Sequence, residues 1–201
     1  MFQETLPGLF VWSAFHEGIE ARVYSAYFAA AGTLIDPMLP EDDGDPLQGL
    51  PAPQRIVLTN RHHYRHSGKL SERFACPVLC HQDGLHEFRD ERDVSGYAFG
   101  EEIAPGVSAL ELSSIAPEEA TLALDSGPGV LAFGDGLRRG DDGSLQFMRD
   151  TLLGKDPEAV KAGLRRQLRE MFERDFDAMI FAHGEPLPQG ARAKLKDFLS
   201  R

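Results

Sequence analysis

Two periods organise the hydrophobic and polar positions of this chain. Residues 18–37, GIEARVYSAYFAAAGTLIDP, alternate at first and then run apolar around Gly32, which predicts a hairpin of two strands. RIVLT (55–59), CPVLC (76–80), ALEL (109–112), ATLALD (120–125) and GVLAFGD (129–135) read as further short strands. DAMIFAH (177–183) is continuously apolar at its centre, as expected of a strand buried on both faces. Helical spacing is clearest in DPEAVKAGLRRQLREMFER (156–174). There Asp156 offers an N-cap, Pro157 suits the first helical position, and Ala159, Leu164, Leu168, Met171 and Phe172 fall largely on one stripe. A short helix is predicted over SGKLSERF (67–74), and a last one over GARAKLKDFLS (190–200). LPEDDGDPLQGLPAP (39–53), rich in Pro, Gly and Asp, reads as a surface loop rather than a domain linker. Strands come first as hairpins and then mix with helices. That order favours a sheet sandwich covered by helices, a mixed α/β (α+β) class, over a doubly wound parallel sheet.

Composition narrows the function classes. The 201 residues suffice for one substantial core, and residues 1–201 are read as a single domain. A net charge of −11 argues against a nucleic-acid partner, because phosphate binding needs Lys and Arg clustered over a broad face. No stretch is long and apolar enough for a membrane span, and the start, MFQETLPGLFVW, lacks the pattern of a secretory signal. A cytoplasmic protein with a small-molecule partner is the expectation. Cys76 and Cys80 share one face of a strand and sit too far apart for an easy disulfide. With His81 they would make an incomplete zinc set, since the fourth ligand is missing and His81 alternates to the other face. Buried, reduced thiols are expected.

The densest chemistry is TNRHHYRHSG (59–68), with three histidines in five positions interrupted by Tyr64 and Arg65. It closes the strand IVLT, and three more motifs accompany it in order along the chain: TLIDP (33–37), LAFGDGL (131–137) and FAHGEP (181–186). LSSIAPEEATLAL (112–124) lies between them. Together these resemble the metallo-β-lactamase family over nearly the whole chain. The family's strand ends in Asp, then carries T-H-x-H-x-D-H-x-G-G, then a middle P-G-H-x-P-G-E-x-A-L, a Gly-Asp and a Gly-His-Gly-x-Pro. The resemblance implies a four-layer αββα sandwich with a metal cleft at one edge.

Carried over position by position, that resemblance implies an eroded ligand set. The first histidine falls on Asn60, the second on His62, the aspartate on Tyr64, the adjacent histidine on Arg65 and the middle histidine on Ile115. The bridging aspartate is present as Asp135 and the last histidine as His183. Asn60 is a poor zinc ligand, Tyr64 binds only when deprotonated, Ile115 has no donor atom, and Arg65 is a fixed cation. A dinuclear centre is therefore not expected. The first reading is a cleft that binds or processes a small anionic ligand without metal, using Arg65, His62, Asn60, His66, Tyr64, Asp135 and His183. In that reading Arg65 takes over the role of the metal by pairing with Asp135. A second reading is a mononuclear hydrolase that keeps one zinc through His62 or His66 with Asp135 and His183, the minimum of three ligands. A third is a non-catalytic structural or interaction domain whose cleft has closed. Arg61 is read as a surface charge, Asp36 as a turn or structural residue, and His16, His81 and His86 carry no assigned role.

Overall fold

The computed structural model describes residues 3–41, 44–88 and 93–201. Seven strands form the first sheet among these residues: β1 (Gln3–Leu6), β2 (Leu9–His16), β3 (Ala21–Phe28), β4 (Thr33–Ile35), β5 (Arg55–Val57), β6 (Val78–His81) and β7 (Val94–Tyr97). They lie in chain order, antiparallel from β1 to β4 and parallel from β4 to β7. Helix α1 (Ser67–Phe74) supplies the crossover from β5 to β6. The second sheet begins with the meander β8 (Glu102–Ala104), β9 (Val107–Glu111), β10 (Ala120–Leu124) and β11 (Val130–Phe133). A small hairpin, β12 (Arg138–Arg139) and β13 (Leu145–Gln146), follows, then α2 (Pro157–Glu170). Strand β14 (Ala178–Phe181) then pairs parallel to β11, and α3 (Ala191–Leu199) closes the chain.

Side-chain parity sorts the core into three layers. In the first sheet Ala26, Phe28, Ile35 and Val57 face the second sheet, where they meet Val107, Ala120, Leu122, Ala132 and Ile180. The alternate positions Tyr27, Leu34, Ile56 and Val78 face outward under α1, packed with Leu58 and Leu70. On the far side Leu131, Phe133, Met179 and Phe181 receive Leu164 and Leu168 of α2 and Leu195 and Leu199 of α3. Each fully buried Leu of this kind contributes on the order of 1.5–3 kcal/mol. The result is helix, sheet, sheet, helix: the expected αββα sandwich.

Local signals behave as their chemistry requires. The Asp156 side chain accepts from Ala159 N at 3.0 Å, so α2 starts where the cap and Pro157 place it. Strands β1 and β2 were not anticipated. LFVWSAFH buries residues on both of its faces, Val11 between the sheets and Trp12 outward, which blurs its alternation. Cys76 and Cys80 are buried free thiols, and His81 stacks on Phe99 with ring centroids 3.8 Å apart. No helix among the described residues is long and apolar enough to cross a membrane.

Candidate metal centre

The site forms where strand ends from both sheets meet. Asp36 follows β4, Thr59 follows β5, Asp135 follows β11 and His183 follows β14. Main-chain bonds fix the junction: Ala120 N donates to Thr59 O, Tyr24 N to Ala182 O, and Arg139 N to His183 O. After Thr59 the strand gives way to a 3-10 turn, Arg61–His63. Asn60 caps that turn, its Oδ1 accepting from His62 N at 2.9 Å. The turn cancels strand parity, so His62 lies exposed on the cleft wall and His63 is buried in its floor.

His62 or His66 was the expected companion of Asp135 and His183; the histidine that lies against them is His63. His63 Nε2 lies 3.4 Å from Asp135 Oδ1, and His183 Nε2 lies 3.0 Å from the same atom. One ligand atom from each of the three falls within 4.8 Å of the others. His66 is used elsewhere, its Nδ1 accepting from Leu39 N at 3.0 Å. Tyr64 packs against Phe88 under α1, with ring centroids 5.7 Å apart, and does not line the cleft. Ile115 is half-buried and likewise absent from the cleft wall.

Arg65 departs from expectation as well. It does not form the anticipated ion pair with Asp135. Its Nη1 donates to the carbonyls of Tyr24 and Asp36, at 2.8 Å each, which locks the middle of β3 and the end of β4 to the histidine turn. Arg65 adopts φ 43°, a left-handed conformation unusual for a long side chain, and these two bonds offset the strain. Its Nη2 is buried without a partner among the described residues, and the side chain lines the cleft. Arg61 is not a surface charge; it pairs with Glu118, which is fully buried.

Two carboxyl groups matter more than the sequence suggested. Asp36, buried and at φ 45°, accepts from Thr59 N at 2.8 Å and from the Thr59 hydroxyl, and its Oδ2 lies 2.9 Å from His63 Nδ1. A carboxylate only accepts, so His63 carries a proton on Nδ1, and its Nε2 turns toward Asp135. Glu119, also buried, accepts from Asp135 N at 2.6 Å, Gly136 N at 3.0 Å and Asn60 Nδ2 at 2.7 Å. Asn60 Nδ2 also donates to Asp135 Oδ2 at 3.0 Å. Asn60 is thus a clamp that orients Asp135 and holds the turn.

The electrostatics follow from burial and these partners. Burial alone lowers the His63 imidazole, but the carboxylates of Asp36 and Asp135 outweigh it and push it up to about 10. Burial raises the Asp135 carboxyl, yet His63 and His183 hold it well below the usual carboxylate range. Burial, with the Asp135 charge beside it, raises Glu119 to about 8. His183 is pushed down by burial, so its ring is readily neutral.

A single divalent cation fits these residues and a pair does not. Asp135 Oδ1 is buried without an aligned donor, and two imidazole Nε2 atoms surround it. The Asp36 carboxylate behind His63 Nδ1 is the outer-shell partner that metal-bound histidines generally have. A second cation would need donors from Asn60, Tyr64 or Arg65, which are committed to hydrogen bonds, packed under α1 or positively charged.

The comparisons agree with the fold. The model of the metallo-beta-lactamase superfamily matches residues 1–198, and the chain belongs to that family. A metallo-beta-lactamase family protein from Thermus thermophilus superposes with a TM-score of 0.68 at 18% identity, covering 98% of this chain and 80% of the other. A beta-lactamase domain protein from Burkholderia ambifaria gives 0.69 at 14%, over 99% and 75%. An archaeal superfamily protein from Sulfolobus tokodaii gives 0.60 at 18%, over 95% and 86%. No curated protein matches the sequence.

Proposed function

We propose that the chain is a mononuclear metal-dependent hydrolase acting on a small anionic substrate. The observation that carries this reading is the convergence of one ligand atom each from His63, Asp135 and His183 within 4.8 Å, with Asp36 behind His63. These three side chains would hold one cation of the zinc type and leave coordination positions open, as catalytic sites do. Bound there, the cation would supply Lewis acidity at neutral pH. Asp36 fixes the His63 tautomer, and Asn60 holds Asp135 by its other oxygen. Arg65, lining the cleft with a free Nη2, favours a negative substrate. A cavity of about 300 Å3 over the triad supports a working site over a disused one.

A panel of small esters, thioesters and phosphodiesters, assayed with added zinc or manganese, tests the reading. Hydrolysis of at least one class should fall by about a hundredfold or more in Asp135→Asn and His183→Ala, on the order of 3 kcal/mol of transition-state stabilisation. Activity indifferent to chelator and to both substitutions would refute it.

A second reading is supported by the Asp36–His63–Asp135 alignment itself. A protonated His63 between two carboxylates balances their charge without any metal, leaving a cleft that only binds an anion. Metal content of protein purified without a nickel tag separates the two readings.

A further inference from the structure

Strand β12 carries two adjacent arginines with different partners. Arg139 is fastened, donating to the carbonyls of Gly143, Glu185 and Pro186. Arg138 faces the cleft and makes no hydrogen bond or ion pair among the described residues, and its Nε is buried without an acceptor. Arg149 also lines the cleft, and its exposed side chain has no carboxylate partner among the described residues. In a chain with 32 acidic residues against 21 Lys and Arg, two unpaired guanidinium groups in one cleft leave a place for an outside anion. The cavity over the triad and a second one of about 500 Å3 share Arg138, Arg149 and His183 as wall residues, so both arginines stand beside the reactive end of the cleft.

The same cavity has an apolar strip. Three large hydrophobic side chains are exposed among the described residues, and two of them, Ile19 at 53% and Leu152 at 60%, line this cavity. They come from separate turns, 17–19 and 150–152, with Val23 and Met148 alongside. A purely polar ion would leave this strip in water. A neutral molecule would leave the Arg138 Nε without an acceptor.

We propose that the cleft selects an amphipathic monoanion: a carboxylate taken by Arg138 and Arg149, carrying an apolar chain that lies on Ile19, Met148 and Leu152. This names the substrate class of the hydrolase reading and rests on that reading only for the place of the reaction.

Calorimetric titration of the full chain in chelator, with octanoate, acetate, 1-octanol and octylammonium as probes, tests it. Octanoate should bind at least about tenfold more tightly than acetate or 1-octanol, a difference of roughly 1.4 kcal/mol, and octylammonium should not compete. Arg138→Gln should reduce octanoate to the level of 1-octanol, and Leu152→Ser should reduce it toward acetate. Arg149→Gln, an exposed change, gives an independent arm with the direction expected of Arg138→Gln. Equal binding of octanoate and 1-octanol, or octanoate binding unchanged in both arginine variants, overturns the inference. A chain that binds zinc but does not prefer octanoate fails only here; one that prefers octanoate but holds no zinc fails only the hydrolase reading.

Discussion

His63 is held between two carboxylates, Asp36 at 2.9 Å from Nδ1 and Asp135 at 3.4 Å from Nε2, and the two acids come from different sheets. One ring therefore ties the sandwich together at its open edge and presents a nitrogen to the cleft. The buried Asp36 is what fixes that orientation, through three groups that donate to it.

Asp36→Asn keeps the left-handed backbone accessible but replaces an acceptor oxygen with a donor facing Thr59 or His63. It should destabilise the fold by about 2–4 kcal/mol, the cost of stranding a buried charge-assisted network. It should also weaken zinc by about 10–100-fold. Urea unfolding checks the first effect and a competition titration the second. Unchanged values in both would mean that Asp36 does not support His63.

Arg65→Ala should cost about 1–3 kcal/mol, because the Tyr24 carbonyl loses the guanidinium and the Asp36 carbonyl keeps only the Ser25 hydroxyl. Arg65 bonds to carbonyls and feels Asp135 only as a charge across the cleft, so the double change with Asp135→Asn should show a coupling below about 1 kcal/mol. A coupling well above about 1 kcal/mol in the cycle would restore the direct pair and contradict this geometry.

Glu119 predicts a pH dependence. Its folded value is raised to about 8 from an ordinary 4.5, so between those values the fold binds a proton that the unfolded chain has released. Stability from this group is fully present below pH 4.5 and declines as pH rises toward 8. Glu119→Gln, which imitates the protonated acid, should flatten that part of the profile. Thermal melting at intervals from pH 5 to 8 measures it; parallel profiles for the two proteins would remove Glu119 as the cause.

The family's framework was legible because strand-end signals are local. Asp135 and His183 sit at the ends of two strongly apolar strands, where alignment and geometry coincide. His63 was not legible. An extended strand would send it to the face opposite His62, and the change to a 3-10 turn depends on the Asn60 cap, a feature of one side chain. Glu119 was hidden for a different reason: the burial of Glu118 and Glu119 depends on Arg61, Asn60 and the 135–136 amides, distant in sequence. Arg65 was misread because its charge suggested a carboxylate, while its left-handed backbone aims the guanidinium at carbonyls.

The most direct test is a zinc titration, by calorimetry and metal analysis, of the parent chain beside His63→Ala and His62→Ala. The geometry predicts one zinc per chain in the parent, little change in His62→Ala, and loss of at least about a hundredfold in affinity, roughly 2.7 kcal/mol, in His63→Ala. Two zinc ions per chain, or a site lost with His62 and kept without His63, would contradict it.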